Sequence, residues 1–208
     1  MSAGHALDSL FRDAVSAIDA GDVASLEHQI AAYPALVHER LDAAGAWLRD
    51  TVKGALDGFF KAPYLLWFVA EDPVRNGTLP ANIADVTLAI VRAIKGEKVD
   101  SLQAQLDYAL NLVSCALKGK AEAVRRLIAF GIDINGVSED LYSHATALHH
   151  AVSSGSIDTV RVLVEAGANL GAPDTVYHGT PLGWAEYSGG KPQYDAIAAY
   201  LRSKGARQ

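Results

Sequence analysis

The chain has 208 residues, of which 50% are hydrophobic and 20% are charged, with a formal net charge of -6 at pH 7. This length and composition are typical of a globular protein with one or two buried cores, and they exclude a disordered chain. The acidic balance argues against nucleic acid as a partner, because duplex binding depends on a basic surface.

Cysteine content and apolar runs indicate the compartment. Cys115 is the single cysteine, which excludes an internal disulfide framework or a cysteine-based zinc site and fits a reducing compartment. Residues 1–15, MSAGHALDSLFRDAV, lack a basic segment followed by an apolar run, as a signal peptide would have. The most apolar window, PYLLWFVA at 63–70, is too short to span a bilayer. We therefore expect a cytoplasmic protein without membrane contact.

Apolar residues at alternating spacings of three and four predict five amphipathic helices along the chain. In chain order the triplets are Val23, Leu26 and Ile30; Ile83, Val86 and Ile90; Ala121, Val124 and Ile128; Ile157, Val160 and Val164; and Tyr194, Ile197 and Leu201. Their first members are separated by 60, 38, 36 and 37 residues. This near-constant step predicts a repeat array.

A shorter helix is predicted before these helices, with small residues that permit close packing. Counting back six residues from three of the triplets gives Ala17, Cys115 and Ala151, and counting back nine gives Ala14, Leu112 and Leu148. Glycines follow both kinds of helix, and a left-handed residue at such a position ends a helix without strain. Those after the shorter helix are Gly21, Gly119, Gly155 and Gly189, and those after the longer helix are Gly131, Gly167 and Gly205.

Two stretches carry a family resemblance. TALHHAVSSG followed by VRVLVEAGAN, and GTPLGWAEYSGG followed by IAAYLRSKGA, resemble ankyrin repeats, whose signature is T-P-L-H-x-A followed by a helix and a Gly-Ala loop. The resemblance extends over residues 106–206 and is weaker over 7–95. It implies an all-α solenoid of four to five helical hairpins, with an irregular insertion near 38–60.

The resemblance also implies a single domain over residues 1–208. Its expected parts are a degenerate N-terminal repeat at 7–37, an insertion at 38–59, an atypical repeat at 60–95, repeats at 106–135 and 144–170, and a C-terminal capping repeat at 178–206.

Three histidines, His144, His149 and His150, lie within seven positions and raise the question of a metal site. The family resemblance gives His149 a structural role, in which its ring hydrogen-bonds backbone and ties adjacent repeats together. Adjacent helical residues point about 100° apart, and no H-E-x-x-H pattern is present. We therefore expect structural or surface histidines and no metal ligands.

Other residues that could take part in chemistry have simpler structural interpretations. Cys115 occupies the position of Ala17 and Ala151, where a buried thiol is inert. RNGT at 75–78, with Asn76, lacks the glycines and lysine of a phosphate loop and is expected to be a polar turn. No carboxylate pair has a spacing that demands acid–base chemistry. We therefore expect no enzyme activity, no catalytic residues and no cofactor.

The resemblance implies that a protein partner binds the concave face, through short helices and the loop tips before them. The positions expected there are Leu117, Lys118, Tyr142, Ser143, Ser153, Ser154, Val176, Tyr177 and Tyr187. Tyrosines at these positions suit an interface hot spot, since they supply large contact area at modest entropic cost. The alternative is a scatter of surface aromatics. A monomer is favoured.

A second function of another class is a small-molecule binder or enzyme with an aromatic cavity around 38–82. Its motivation is a concentration of aromatic residues near Arg75 and Asn76. These aromatics are Trp47, Phe59, Phe60, Tyr64, Trp67 and Phe68. A deep pocket lined by them would favour this alternative, whereas core packing is the usual fate of residues such as Trp67 and Phe68.

Overall fold

The computed structural model describes residues 3–52, 62–69, 79–95, 121–137 and 144–207. Within these ranges the regular elements are all helices and no residue is in a strand, so the predicted all-α class is confirmed. The chain divides into two compact units, Met1–Leu106 and Asp107–Gln208. The expected single array over 1–208 stays a prediction.

The first unit is built from helices that pack on one another, including pairs that are not consecutive in the chain. Its elements are α1 (Ala3–Ala20), α2 (Val23–Ala32), α3 (Ala35–His38), α4 (Ala46–Val52), a 3-10 helix (Leu65–Val69) and α5 (Ile83–Lys95). Helix α2 packs against α1 and α5, and the 3-10 helix packs against α1 and α5. Helix α4 and residues 39–45 occupy the predicted insertion as far as the structure describes it.

The turn between α1 and α2 shows how the chain reverses. Asp22 caps α2, because its carboxylate accepts the amide hydrogen of Ser25 at 3.0 Å. Asn82, just before α5, donates its side-chain amide to the carbonyl oxygen of Gly21 at 2.8 Å. Gly21 itself has φ of 68°, which the predicted left-handed turn requires. The α1–α2 hairpin is thus fastened to the start of α5.

The described residues of the second unit include two complete helical hairpins stacked in sequence order. Its elements are α6 (Ala121–Phe130), α7 (Ala147–Ser153), α8 (Ile157–Glu165), α9 (Pro181–Tyr187) and α10 (Pro192–Ser203). The α7–α8 hairpin packs with α8 against α6 on one side and with both helices against the α9–α10 hairpin on the other. Asn135 and Asn169, 34 residues apart, join consecutive loops by a bond of 2.9 Å from the Asn169 amide to the Asn135 side chain. In this unit, consecutive hairpins therefore stack on one another, as the repeat step predicted from the sequence requires.

The apolar face of the longer helices lies one residue earlier than the predicted triplets in part of the second unit. Leu127 and Leu163 are fully buried, whereas Ile128 and Val164 are half-buried. Val124 and Val160 are buried as predicted. Neighbouring positions share one broad apolar face, so spacing locates the face, but the adjacent hairpin decides which residue lies at its centre.

One predicted turn glycine is replaced by its neighbour. Helix α9 ends at Tyr187 with Ser188 as its C-cap, and the left-handed residue is Gly190, with φ of 87°, instead of Gly189. A Cβ on Gly189 would still approach the carbonyl oxygen of Glu186 to 2.9 Å. Gly189 is thus required for close packing and Gly190 for the turn. The expected turn at Gly119 lies outside the described residues.

Candidate functional site: a groove between two short helices

The short helices α7 and α9 form the walls of a groove of about 640 Å³ in the second unit. The groove is lined by Ser153, Tyr177, Gly179, Gly183, Trp184, Tyr187 and Ser188. We call it the Trp184 groove. Three of its residues, Ser153, Tyr177 and Tyr187, are among the positions expected from the sequence to contact a partner. The tertiary structure therefore brings these three together.

The two tyrosines of the groove are far more exposed than is usual for aromatic residues. Tyr187 is 95% exposed and Tyr177 is 77% exposed. Val176, at the same loop tip as Tyr177, is 56% exposed. Large apolar groups left in water at one place mark a surface for binding more often than a structural role.

Asp174 holds the loop that carries Tyr177. Its carboxylate is buried and accepts the backbone amides of Val176 at 2.9 Å, Tyr177 at 2.6 Å and Gly179 at 2.9 Å. It also accepts the indole N–H of Trp184 at 3.0 Å. The Asp174 side chain therefore holds both the loop that carries Tyr177 and the Trp184 ring that lines the groove.

The charge of Asp174 is retained despite burial. Desolvation raises the pKa of the carboxyl group, but the hydrogen bonds from the Tyr177 amide, the Trp184 indole and the other two amides outweigh it and hold the pKa well below its usual range. Among the described residues no lysine or arginine nitrogen lies within 4.0 Å of this carboxylate. An ionised carboxylate is thus hydrogen-bonded to two residues of the groove lining, Gly179 and Trp184.

His149 has the structural role predicted for it. Its Nδ1 accepts the amide hydrogen of Thr146 at 3.2 Å, which places the ring proton on Nε2. Nε2 then donates to the carbonyl oxygen of Gly179 at 3.0 Å, in the next repeat. Burial lowers the pKa of His149, more than the bond to Gly179 raises it, so the ring is neutral at pH 7.

The other two histidines pack beside Trp184. The ring of His144 lies 5.8 Å from that of Trp184 and 6.1 Å from that of Tyr177. His150 is half-buried, and its ring meets Trp184 edge-on at 6.5 Å. Burial, together with the nearby His149 and His144, lowers the pKa of His150 to about 4. Among the described residues, no three histidine, cysteine or carboxylate side chains are grouped so as to hold a metal ion.

The remaining expected contact positions divide into two groups. Ser154 is buried, and its hydroxyl donates to the carbonyl oxygen of Ala151 at 2.8 Å, so its side chain is not presented to a partner. Ser154 lies at the end of α7, where its hydroxyl turns inward and bonds a backbone carbonyl oxygen of the helix. The position of Ser154 in the sequence does not by itself reveal this. Leu117, Lys118, Tyr142 and Ser143 lie outside the described residues, as do Cys115 and Asn76.

The aromatic region of the alternative function is packed where the structure describes it. Trp67 and Phe68 are buried, as their expected core packing requires, and so is Tyr64. Trp47 stacks on Phe68 with ring centroids 6.1 Å apart, and its indole N–H donates to Asp8 at 2.7 Å. These four residues fill the space between helices of the first unit. Phe59, Phe60 and Arg75 lie outside the described residues.

Sequence reasoning did not identify the residues that form the base of the groove. Asp174, Gly179, Gly183 and Trp184 carried no predicted role. The available signal was the segment DTVYHG at 174–179, since an aspartate at the start of a loop commonly caps nearby backbone amides. No local pattern shows that this carboxylate also reaches an indole ten residues later.

Comparisons with known proteins agree with the helical hairpins. The family model described as ankyrin repeats (3 copies) matches residues 86–174 and 110–208. The potassium channel GORK of Arabidopsis thaliana is 38% identical over 80 residues, which amount to 38% of this chain and 9% of the channel. The chain thus spans only a small part of that relative. Among the described residues, no helix has the length and apolar character needed to cross a membrane.

Proposed function

Because this chain belongs to the ankyrin-repeat family, we propose that it is a non-catalytic module that binds a protein partner through the Trp184 groove and its rim. Ankyrin repeats generally mediate protein–protein interaction, but a fold does not by itself assign a function. The observation that carries the proposal is the pair of exposed tyrosines, Tyr177 and Tyr187, that line one groove.

The groove is pre-organised for binding. Asp174 holds the Tyr177 loop through three backbone amides, and His149 bonds the Gly179 carbonyl at the end of the same loop. A partner that docks here does not have to order the loop, which removes part of the entropic cost of association. A buried, water-excluding contact around tyrosine side chains is the usual form of an interface hot spot.

The proposed surface includes positions from the neighbouring repeats. Ser153 and Val176 belong to it on the strength of their exposure. Leu117, Lys118, Tyr142 and Ser143 extend it as the corresponding positions of the preceding repeat and loop. Ser154 is left out because it is buried. We further propose a cytoplasmic protein that binds no nucleic acid, in keeping with its single cysteine and net charge of -6.

The test is a comparison of partner capture by matched variants. Tyr177→Ala and Tyr187→Ala should each weaken capture of partner proteins from native-host lysate by about tenfold or more, because each removes a hot-spot ring. Thermal stability should change by less than about 1 kcal/mol, as it does for most surface substitutions. Quantitative mass spectrometry of the captured proteins measures the first effect, and differential scanning calorimetry the second.

Tyr33→Ala is the matched control, because Tyr33 is 51% exposed and belongs to the first unit. It should capture the same proteins as the parent chain. Equal capture by the parent, Tyr177→Ala and Tyr187→Ala would overturn the proposal.

A further inference from the structure

We infer that the Trp184 groove accepts an arginine side chain of the partner protein. This inference rests on the function proposed above and specifies the chemistry that the groove recognises. It follows from three features of the described residues: a buried charge without a cationic partner, two exposed tyrosine rings, and two glycines in the lining of the groove.

The buried charge is that of Asp174. Its four hydrogen-bond donors are three backbone amides and one indole, all of them neutral groups. Two of these donors, from Gly179 and Trp184, belong to residues that line the groove. None of the lining residues that the structure describes is a lysine or an arginine. The negative charge is therefore left without a counter-charge, which favours a cation in the groove and disfavours an anion.

The two exposed tyrosine rings of the groove have no cation of the chain over them. Some described rings outside the groove do: Arg161 lies 4.6 Å from the ring centre of Tyr200, and Lys191 lies 5.9 Å from that of Tyr194. Among the described residues no such cation covers Tyr177 or Tyr187. Because Tyr187 is 95% exposed and Tyr177 is 77% exposed, their electron-rich faces are accessible to a cation from another molecule.

Two of the described lining residues of the groove are glycines, Gly179 and Gly183. Gly179 is closely packed, since a Cβ there would lie 3.1 Å from the Trp184 ring and 3.1 Å from the Asp174 carboxylate. Gly183 occupies the position that corresponds to His149 in the preceding repeat, so the imidazole found there has no equivalent. Neither position adds a side chain to the lining, which leaves room in the groove for a long side chain of a partner.

Arginine suits this groove better than other side chains. Its planar guanidinium stacks on aromatic faces, and its several N–H donors can reach the hydroxyls of Ser153 and Ser188 at the rim. A carboxylate would be repelled by Asp174, and a purely apolar side chain would gain nothing from that charge. The groove is thus expected to distinguish ligands by charge as well as by shape.

The experiment uses N-acetyl-arginine N-methylamide as the probe, titrated into the 15N-labelled full chain. The Trp184 indole N–H resonance, assigned by comparison with Trp184→Phe, reports binding. The citrulline analogue, which has nearly the same shape without the charge, is the matched ligand, and the glutamate analogue is the charge-reversed one. Arginine should bind about fivefold or more tighter than citrulline at low salt, and the difference should shrink at 0.5 M salt. Glutamate should not shift the resonance.

Three variants test which residues produce the preference for arginine over citrulline. Tyr187→Ala should weaken arginine binding about threefold or more, and since Tyr187 is 95% exposed this substitution leaves the fold intact. Asp174→Asn should abolish the difference between arginine and citrulline. Tyr33→Ala should bind both probes as the parent does. If Asp174→Asn unfolds, Tyr187→Ala and the salt dependence still decide the outcome.

Equal binding of arginine and citrulline by the parent at low salt, or tighter binding of citrulline or glutamate, would overturn the inference. The proposed function fails in a different way. If the probes bind alike but Tyr177→Ala and Tyr187→Ala lose the partner, the groove binds protein through another chemistry. If arginine is preferred but both variants capture partners normally, the groove is not the interface.

Discussion

At the scale of single residues, aspartate carboxylates are used in the same way in both units. In the first unit the carboxylate of Asp8 accepts the indole N–H of Trp47 and the amide of Gly45, each at 2.7 Å. In the second, Asp174 accepts the indole of Trp184 and three amides. Each aspartate lets a tryptophan be partly buried without an unpaired N–H, because a buried polar group that lacks a partner is costly.

His150 makes stability depend on pH in the acid range. Its pKa is about 4 in the folded chain, because burial penalises the charged ring, against about 6.5 in the unfolded chain. Above pH 6.5 both states hold the neutral ring, so the pKa difference has no effect. As pH falls from 6.5 to 4, the unfolded state takes up a proton that the folded state resists. Stability should therefore fall by up to roughly 3 kcal/mol across this window.

His150→Phe should make urea-unfolding free energies less sensitive to pH between 7 and 4.5 than those of the parent. Phenylalanine fills a similar volume without a titrating group. His149 remains and contributes in the same direction, since its pKa is also lowered by burial. His28→Gln, at an exposed position, should keep the parent's pH dependence. A His150→Phe profile identical to that of the parent would show that His150 titrates normally in the folded protein.

At the scale of helices, the sequence predicted where the apolar faces lie more accurately than which residues lie at their centres. The periodicity identified α2, α5, α6, α8 and α10 correctly. The small residues Ala14, Ala17 and Ala151 are buried as expected. The helix that carries Ala14 and Ala17 was predicted to be shorter than the next one, but α1 has 18 residues and α2 has 10. The choice of Leu163 over Val164 depends on the hairpins packed against α8, and this information is not present within the helix itself.

This difference can be measured by two neighbouring substitutions. Leu163→Ala should lower the free energy of unfolding by about 2–5 kcal/mol, because it leaves a cavity at a fully buried position. Val164→Ala, at a half-buried position, should cost about 1 kcal/mol or less. Denaturant unfolding followed by circular dichroism gives both values. A larger loss for Val164→Ala than for Leu163→Ala would mean that the predicted triplet, and not the described packing, marks the centre of the face.

At the scale of the whole molecule, exposed apolar groups are few. The large hydrophobic residues exposed among those described are Tyr33, Val176, Tyr177 and Tyr187. An obligate homodimer commonly buries more than about 2,000 Å² of largely apolar surface. These described residues alone do not provide such an interface, and the monomer favoured from the sequence stays a prediction.

Sedimentation equilibrium of the pure protein at micromolar concentration should therefore give the mass of one chain. Tyr177→Ala and Tyr187→Ala should give the same mass as the parent. A dimer mass in the parent that returns to a monomer mass in these variants would identify the partner as a second copy of the chain.

The sequence by itself determined the all-α class, the helical hairpins of the second unit and the role of His149, because these depend on local periodicity and on a family signature in neighbouring residues. It also placed Ser153, Tyr177 and Tyr187 on a binding surface as a prediction. Only the tertiary structure decided that Ser154 turns inward and that Asp174 joins the Tyr177 loop to Trp184. It also decided that Ser153, Tyr177 and Tyr187 border one groove. The groove joins residues of different repeats, and the bonds of Ser154 and Asp174 depend on how the chain folds around them. A local pattern holds no information on either.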